Sequence, residues 1–174
     1  PQQPNRTITF KGKTATAPNK IASSFNQQFV NVTKYSTDTQ NRIIDRHTNK
    51  LNSTFIPITS EQVIHAIKNS KNNNSTGADG INIKHLKHLG PIAIEFLTNI
   101  YSTSLNSNDI PQTWKLAKIV PILKPDKDPG QGTSYRPISL LSPIAKTLEK
   151  IILPYITQNI PNQEHQHGFK AKHS

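Results

Sequence analysis

Lys124 and Arg136 flank a turn-rich segment, PDKDPGQGTS, at residues 125–134. The partly alternating WKLAKIVPIL before it and YRPISLL after it predict two antiparallel strands, joined by a long loop with Lys127 at its tip. A lysine at such a place is a mobile point charge, and an arginine is a planar fork that binds two phosphate oxygens. The spacing therefore fits a phosphate-binding pair beside an apolar, buried strand. It also fits solvated charges beside a turn.

The acidic residues lack the pattern of metal-assisted phosphoryl transfer, which needs two or three carboxylates converging on ions about 4 Å apart. Asp126 and Asp128 lie in the Lys- and Pro-rich turn, and the other acids are far apart in sequence. Without cysteines, the histidines near the C-terminus have few partners for a metal site, namely His165, His167 and His173. We therefore expect no catalytic residue and no bound metal ion in these 174 residues.

The chain is strongly basic, with 21 Lys and Arg against 10 Asp and Glu and a formal net charge of +11. This excess favours a polyanionic partner, because each phosphate contact releases counterions, and nucleic acid is the first candidate. The basic residues are scattered along the chain, which argues against a membrane surface. Since there is no apolar leader, we expect an intracellular location. A start at Pro1 and the lack of methionine indicate a piece of a longer protein.

The first third of the chain is expected to be loosely structured. Residues 1–17 are polar without a sustained period, which predicts a tail or linker. The following NKIASSFNQQFVNV places Ile21, Phe25 and Phe29 at helical spacing, with Asn19 available as an N-cap. We therefore expect residues 1–55 to be a linker, partly disordered, with one helix.

Helices dominate the middle of the chain. Thr59 and Gln62 have the spacing of a capping box at the start of a helix, and KNNNSTGADG is a loop by composition. Two adjacent helices are predicted after this loop, and the second carries apolar residues at helical spacing: Ile92, Phe96, Ile100 and Leu105. Trp114 adjoins the first predicted strand and is expected to be a core anchor rather than a base-stacking platform.

A last helix is predicted from SPIAKTLEKIILPYITQNI. Ser142 is its expected N-cap and Pro143 fits the first helical position, where the missing N–H is not needed. Pro154 is expected to kink or end this helix, because proline removes a hydrogen bond from a helix interior.

Five sequence blocks resemble the front half of the reverse transcriptase of non-LTR retrotransposons, Jockey-like elements especially. They are STGADGI, IPQTWKLAKIVPILKPDKDP, SYRPISLLS, KTLEKII and QHGFKAKHS. The resemblance covers roughly residues 56–174 and is specific, because all five blocks agree in order and spacing. The chain departs from the family pattern at Ala78, Pro154 and Lys170.

The resemblance implies roles for particular residues. In this family, basic residues on a strand pair of the fingers hold the triphosphate of the incoming nucleotide, and Lys124 and Arg136 stand at the matching places. The GADG block and the QHGF block would contact the template through Gly77, Asp79, Gly80, Gln166, Gly168 and Phe169. The family's metal-binding aspartates come later than Ser174, so Mg²⁺ would act in the complete polymerase and would not be bound by this fragment.

The resemblance also implies a fold and a function. We expect an α+β chain: a helical N-terminal region, then at 56–174 the fingers and start of the palm of a right-hand polymerase, as an incomplete domain. It would be a fragment of an RNA-directed DNA polymerase, inactive alone. Its partners would be an RNA template, a DNA primer, deoxynucleotide triphosphates and the rest of the polymerase chain, and no membrane would be among them. Its location would be the nucleus at the integration step. The alternatives are a non-enzymatic basic RNA- or DNA-binding module and a helical interaction domain.

Overall fold

The computed structural model describes residues 7–33 and 57–159. Within these residues, helices accompany two sheets of two antiparallel strands each, which confirms the α+β class. The elements in chain order are β1 (Ile8–Phe10), β2 (Lys13–Ala15), α1 (Pro18–Thr33), α2 (Ser60–Lys68), α3 (Ile83–Lys87), α4 (Pro91–Asn106), a 3-10 helix (Gln112–Lys115), β3 (Lys118–Leu123), a second 3-10 helix (Gly132–Ser134), β4 (Tyr135–Leu140) and α5 (Pro143–Asn159).

The N-terminal hairpin was not predicted from the sequence. Strands β1 and β2 lie within residues 1–17, where we expected a tail, and Lys11 and Gly12 join them with φ angles of 47° and 79°. Two positive φ angles in a two-residue loop match the twist of the flanking strands. Helix α1 is confirmed, but it begins at Pro18, so Asn19 lies in its first turn and is not its N-cap. Proline suits the first helical position because its φ is already helical.

The main core lies where α2, α4 and α5 pack together. The Thr59 hydroxyl accepts a hydrogen bond from the Gln62 amide (3.3 Å), and the Gln62 side chain accepts one from the Thr59 amide (2.9 Å). This reciprocal pair confirms the predicted capping box at the start of α2. The buried core side chains are Ile58, Val63, Ala66, Ile67, Ile83, Leu86, Ile94, Leu97, Tyr101, Leu148 and Ile151.

Helix α4 is confirmed, but it buries a different face from the one that the spacing indicated. Ile94 and Leu97 are buried, whereas Ile92 and Phe96 are 85% and 67% exposed. Tyr101 is completely buried on the inward side, and its ring meets that of Trp114 edge to face at 5.6 Å between centroids. Trp114 is therefore a core anchor, as predicted.

Helix α5 starts at Pro143, as the sequence predicted, and continues beyond Pro154. The Ser142 hydroxyl accepts a hydrogen bond from the Ile144 amide (3.1 Å), which confirms Ser142 as the cap before Pro143. The Tyr101 hydroxyl donates to the Ile144 carbonyl (2.8 Å) and ties α4 to this first turn. Of the two outcomes expected at Pro154, an end of the helix is wrong, since α5 runs to Asn159, and a kink stays a prediction. An interior proline removes one backbone hydrogen bond, and the turns on both sides of it keep theirs.

Strands β3 and β4 form the predicted antiparallel pair. Their register places Ile122 opposite Arg136 and Pro121 opposite Pro137. The prediction that β4 is a buried strand is wrong, because Tyr135 is its only buried residue. A ribbon of two strands that is packed mainly at its loop end leaves the rest of both faces open to solvent.

Candidate nucleic-acid interface

Lys124 and Arg136 lie on the same face of the β3–β4 ribbon. Arg136 is opposite Ile122, and the Lys124 amide donates to the Ser134 carbonyl (2.9 Å), so the strand register extends to Lys124. Side chains alternate between the two faces of a strand, which puts Ile122, Lys124 and Arg136 on one face. Lys124 and Arg136 are thus diagonal neighbours, a relation that typically separates α-carbons by about 7–8 Å. The structure brings the predicted pair together.

The two side chains differ in what holds them. The Lys124 ammonium donates to the Thr133 carbonyl (2.9 Å), which fixes it at the mouth of the loop and leaves donors for a ligand. The Arg136 side chain is exposed, and its guanidinium has no hydrogen-bond partner in the described part of the chain. A phosphate at this face could therefore meet a preplaced ammonium and a free guanidinium fork.

The loop between the strands is closed by its own hydrogen bonds. The Asp128 carboxylate accepts from the Gly130 amide (2.8 Å), and the Tyr135 hydroxyl donates to the Pro129 carbonyl (2.9 Å). Asp128 therefore stabilises the turn. Lys127 is exposed.

The N-terminal hairpin and α1 hold this loop from outside. The Thr9 amide donates to the Gly130 carbonyl (2.7 Å), and the Gln28 side-chain amide donates to the Gly132 carbonyl (3.0 Å). Gly132 faces the Phe10 ring so closely that a Cβ at position 132 would clash with it. Sequence reasoning missed these residues, and the only signal was the pair of glycines in PGQGTS, which marks a close backbone approach as well as a turn.

An aromatic cluster joins the same parts. The Phe25 ring, on α1, contacts Phe10 at 4.8 Å and Tyr135 at 5.0 Å between ring centroids, both edge to face. Both distances lie within the favourable range for aromatic pairs. The residue that starts β4 is thus packed against the N-terminal part, and the next residue along is Arg136. Residues 7–33 therefore position the strand that carries the candidate phosphate ligand.

The GADG turn lies at the other end of β4. Gly77 is buried against Leu141 and Ser142, the two residues that link β4 to α5. The Asp79 carboxylate accepts from the Ile81 amide (3.1 Å), and Gly80 has a φ of +70°. Asp79 and Gly80 are exposed and open to a ligand, whereas Gly77 is a packing residue. That this turn contacts a template stays a prediction.

Several predicted site residues lie outside the described residues: Gln166, Gly168 and Phe169, and also the histidines at 165, 167 and 173. Over residues 7–33 and 57–159, no three His, Asp or Glu side chains come together in a way that could hold a metal ion. None of the helices found in those ranges has the length and apolar character needed to cross a membrane.

No protein-family model matches the chain. The chain is 37% identical over 122 residues to a Drosophila melanogaster protein named probable RNA-directed DNA polymerase from transposon BS, a match covering 68% of the chain and 14% of that relative. It is 37% identical over 116 residues to the probable RNA-directed DNA polymerase from transposon X-element of the same species, covering 64% of the chain and 13% of the relative.

A third relative is the RNA-directed DNA polymerase from mobile element jockey of Drosophila funebris, 33% identical over 123 residues, with 67% of the chain and 13% of the relative covered. The matches thus span only 13 to 14% of the length of these curated relatives. They confirm the resemblance seen in the sequence blocks. Over about two thirds of its length, this chain is homologous to a segment of the RNA-directed DNA polymerases of Jockey-like and other non-LTR retrotransposons.

Proposed function

We propose that this chain is the fingers and first edge of the palm of a non-LTR retrotransposon reverse transcriptase, where it binds the triphosphate of the incoming nucleotide and the template. The observation that carries the proposal is the placement of Lys124 and Arg136 on one exposed face of the ribbon. In this proposal residues 56–174 are the polymerase part, and residues 1–55 precede it.

The chemistry assigned to the ribbon is binding and charge neutralisation. Arg136 would grip two phosphate oxygens with parallel N–H donors, and Lys124 would add a second positive charge beside the loop. Neither group needs to accept or release a proton in this role, because both act through their positive charge and their N–H donors. Their part in the reaction is to orient the triphosphate and to offset the charge that develops on it.

The described residues do not fit a catalytic metal site. Asp79 and Asp128 are both engaged by backbone amides within their own turns. We therefore assign Mg²⁺ and the catalytic aspartates to other parts of the complete polymerase. The remaining proposed partners are an RNA template, a DNA primer and the rest of the polymerase chain. The proposed location is intracellular, in the nucleus at the integration step.

A non-enzymatic basic RNA- or DNA-binding module is the second candidate. The observation that favours it is the net charge of +11, which attracts any polyanion without a need for nucleotide specificity. The two candidates differ in what Arg136 should do, since a module would use it for backbone phosphates and a polymerase for the triphosphate.

The test is a substitution at Arg136 in a complete polymerase that carries this chain. Arg136→Ala should lower kcat/KM for the nucleotide by about 10- to 150-fold, as expected for the loss of charge-assisted hydrogen bonds of about 1.5–3 kcal/mol. Arg136→Lys should recover only part, because the ammonium lacks the two-pronged geometry. Template affinity, measured separately, should change much less.

Lys118→Ala is the matched control, because Lys118 is an exposed cation on the same face at the far end of β3. It should leave nucleotide use near wild type. Equal losses in nucleotide use and template affinity for Arg136→Ala would favour the binding module. Unchanged nucleotide use, or unfolding of Arg136→Ala and Arg136→Lys alike, would refute the triphosphate role.

A further inference from the structure

A basic pocket of about 370 Å³ opens between the C-terminal end of α2, the loop after it and the first turns of α5. Among the residues that the structure describes, three lysines line it, Lys71, Lys146 and Lys150, and no acidic side chain does. Ile83, Leu140 and Pro143 also line it, and Ile83 and Pro143 are buried. The three lysines are exposed. The pocket thus combines an apolar base with a positively charged opening.

The three lysines are not equivalent. The Lys150 ammonium donates to the Ala66 carbonyl (3.3 Å) and the Ser70 hydroxyl (3.4 Å). The last carbonyls of a helix lack partners within it, so Lys150 is held in place by the end of α2. The Lys71 and Lys146 side chains have no hydrogen-bond partner among the residues that the structure describes. Their donors remain for an anion, which would also relieve the repulsion between three nearby cations.

The pocket adjoins both parts of the candidate interface. Leu140 is the last residue of β4, four residues and thus roughly 13 Å along the strand from Arg136. Ser75 lines the pocket and precedes Gly77, which packs on Leu141 and Ser142. A nucleic-acid strand bound at the GADG turn would therefore lie next to this pocket.

We propose that the pocket binds a nucleotide unit of single-stranded RNA, with its phosphate at Lys71, Lys146 and Lys150 and its base or sugar against Ile83, Leu140 and Pro143. Neither the lysines nor the apolar side chains alone would favour a nucleotide unit over other ligands. Lysines alone would bind any inorganic anion, and apolar side chains alone would bind any apolar molecule. Identification of that RNA as the template rests on the proposed function.

The test uses the intact 174-residue chain and a fluorescently labelled single-stranded RNA, with affinity measured by anisotropy at several salt concentrations. The variant is Lys71→Ala/Lys146→Ala, which spares Lys150 because that residue supports α2. The control is Lys20→Ala/Lys115→Ala, which removes the same charge from exposed positions outside the pocket. Circular dichroism first shows that both variants keep the helical content of the wild type.

The pocket variant should bind RNA about tenfold more weakly or worse, the loss expected for a charge-assisted contact. Its slope of log affinity against log salt should be shallower by about 1.4, since each single-strand phosphate neutralised contributes about 0.7. The control should change both quantities much less. Equal losses in the two variants would mean that net charge alone binds the RNA, and would overturn the proposal.

Competition with inorganic polyphosphate of matched charge tests the apolar half of the pocket. Polyphosphate should displace the RNA from the wild-type chain less effectively than unlabelled RNA does, because it offers nothing to the apolar side chains. Equal competition would reduce the pocket to a general anion site and overturn the assignment of a nucleotide unit. These outcomes do not depend on the nucleotide kinetics of Arg136→Ala, so a failure here and a failure of the proposed function are distinguishable.

Discussion

Gly77 packs directly against the backbone of Ser142, so that a Cβ placed on Gly77 would lie 2.6 Å from the Ser142 amide nitrogen. Ser142 caps α5 through its hydroxyl, and Leu141 and Ser142 together connect β4 to α5. The GADG turn therefore packs against the connection between the ribbon and α5, and the contact leaves no room for a Cβ at Gly77.

Gly77→Ala should destabilise the chain by about 1–3 kcal/mol, the usual cost of forcing extra volume into a packed site. Gly80→Ala is the comparison: nothing lies within 4 Å of its Cβ, and only its positive φ opposes the side chain. Its cost should be about 1 kcal/mol, and Gly80→Asn should cost less because asparagine tolerates this conformation. Urea denaturation followed by circular dichroism measures all three. A Gly77→Ala chain as stable as the wild type would contradict the close packing.

Gly132→Ala should detach the N-terminal hairpin from the ribbon loop, because the added methyl group would clash with the Phe10 ring. The Thr9 amide, which donates to the Gly130 carbonyl, should then exchange with deuterium much faster than in the wild type. Thr133→Ala is the control, since Thr133 is exposed and contributes its backbone carbonyl to the Lys124 contact. Unchanged protection of Thr9 in Gly132→Ala would show that the hairpin does not depend on this contact.

Tyr101→Phe should destabilise the chain by about 1 kcal/mol at neutral pH through loss of the hydrogen bond to the Ile144 carbonyl. Burial raises the pKa of Tyr101 in the folded chain, whereas the unfolded chain has an ordinary tyrosine pKa of about 10. The unfolded state therefore releases this proton first, and the stability from the neutral phenol is lost as pH rises above about 10.

Tyr101→Phe has no phenol to ionise at this position. Its free energy of unfolding should therefore fall less steeply than that of the wild type between about pH 10 and 12. Denaturant unfolding at a series of pH values measures both curves. Parallel curves would mean that Tyr101 does not resist ionisation in the fold.

The 174-residue chain alone should extend no primer on an RNA template in the presence of magnesium. The described carboxylates do not converge on a metal site, and two-metal phosphoryl transfer requires such a site. A labelled primer resolved on a gel, beside a reaction with a known reverse transcriptase, gives the measurement. Extension by the pure chain would show that the catalytic carboxylates lie within it.

Local signals were enough to predict the starts of α2 and α5 and the ribbon. The capping box of Thr59 and Gln62 and the cap at Ser142 depend on residues three or fewer positions apart, so the sequence shows both partners. The strand pair followed from apolar runs on both sides of a turn-rich segment. The placement of Lys124 and Arg136 on one face followed once the hairpin formed.

Features that depend on distant partners were not predictable. Strands β1 and β2 have three residues each, and Thr9 finds its partner at Gly130, more than a hundred residues away. Helix α4 carries apolar side chains on opposite sides, so spacing alone could not decide between Phe96 and Leu97 as the buried residue. The lysine pocket combines Lys71 with Lys146, which only the packing of α2 against α5 brings together.

Pro121 and Pro137 face each other in the middle of the ribbon, where they limit pairing with a further strand. Since Lys124 donates to the carbonyl of Ser134, the alternation of the ladder makes Pro121 and Pro137 a pair whose nitrogens point outward. Over the residues that the structure describes, both outer edges of the ribbon thus lack an amide donor at the position of this proline pair. A strand from another molecule that paired with either edge would lose a hydrogen bond midway, which is how edge prolines oppose intermolecular sheet growth. The proline pair thus opposes strand addition at the level next to the exposed Ile122 and Ile138.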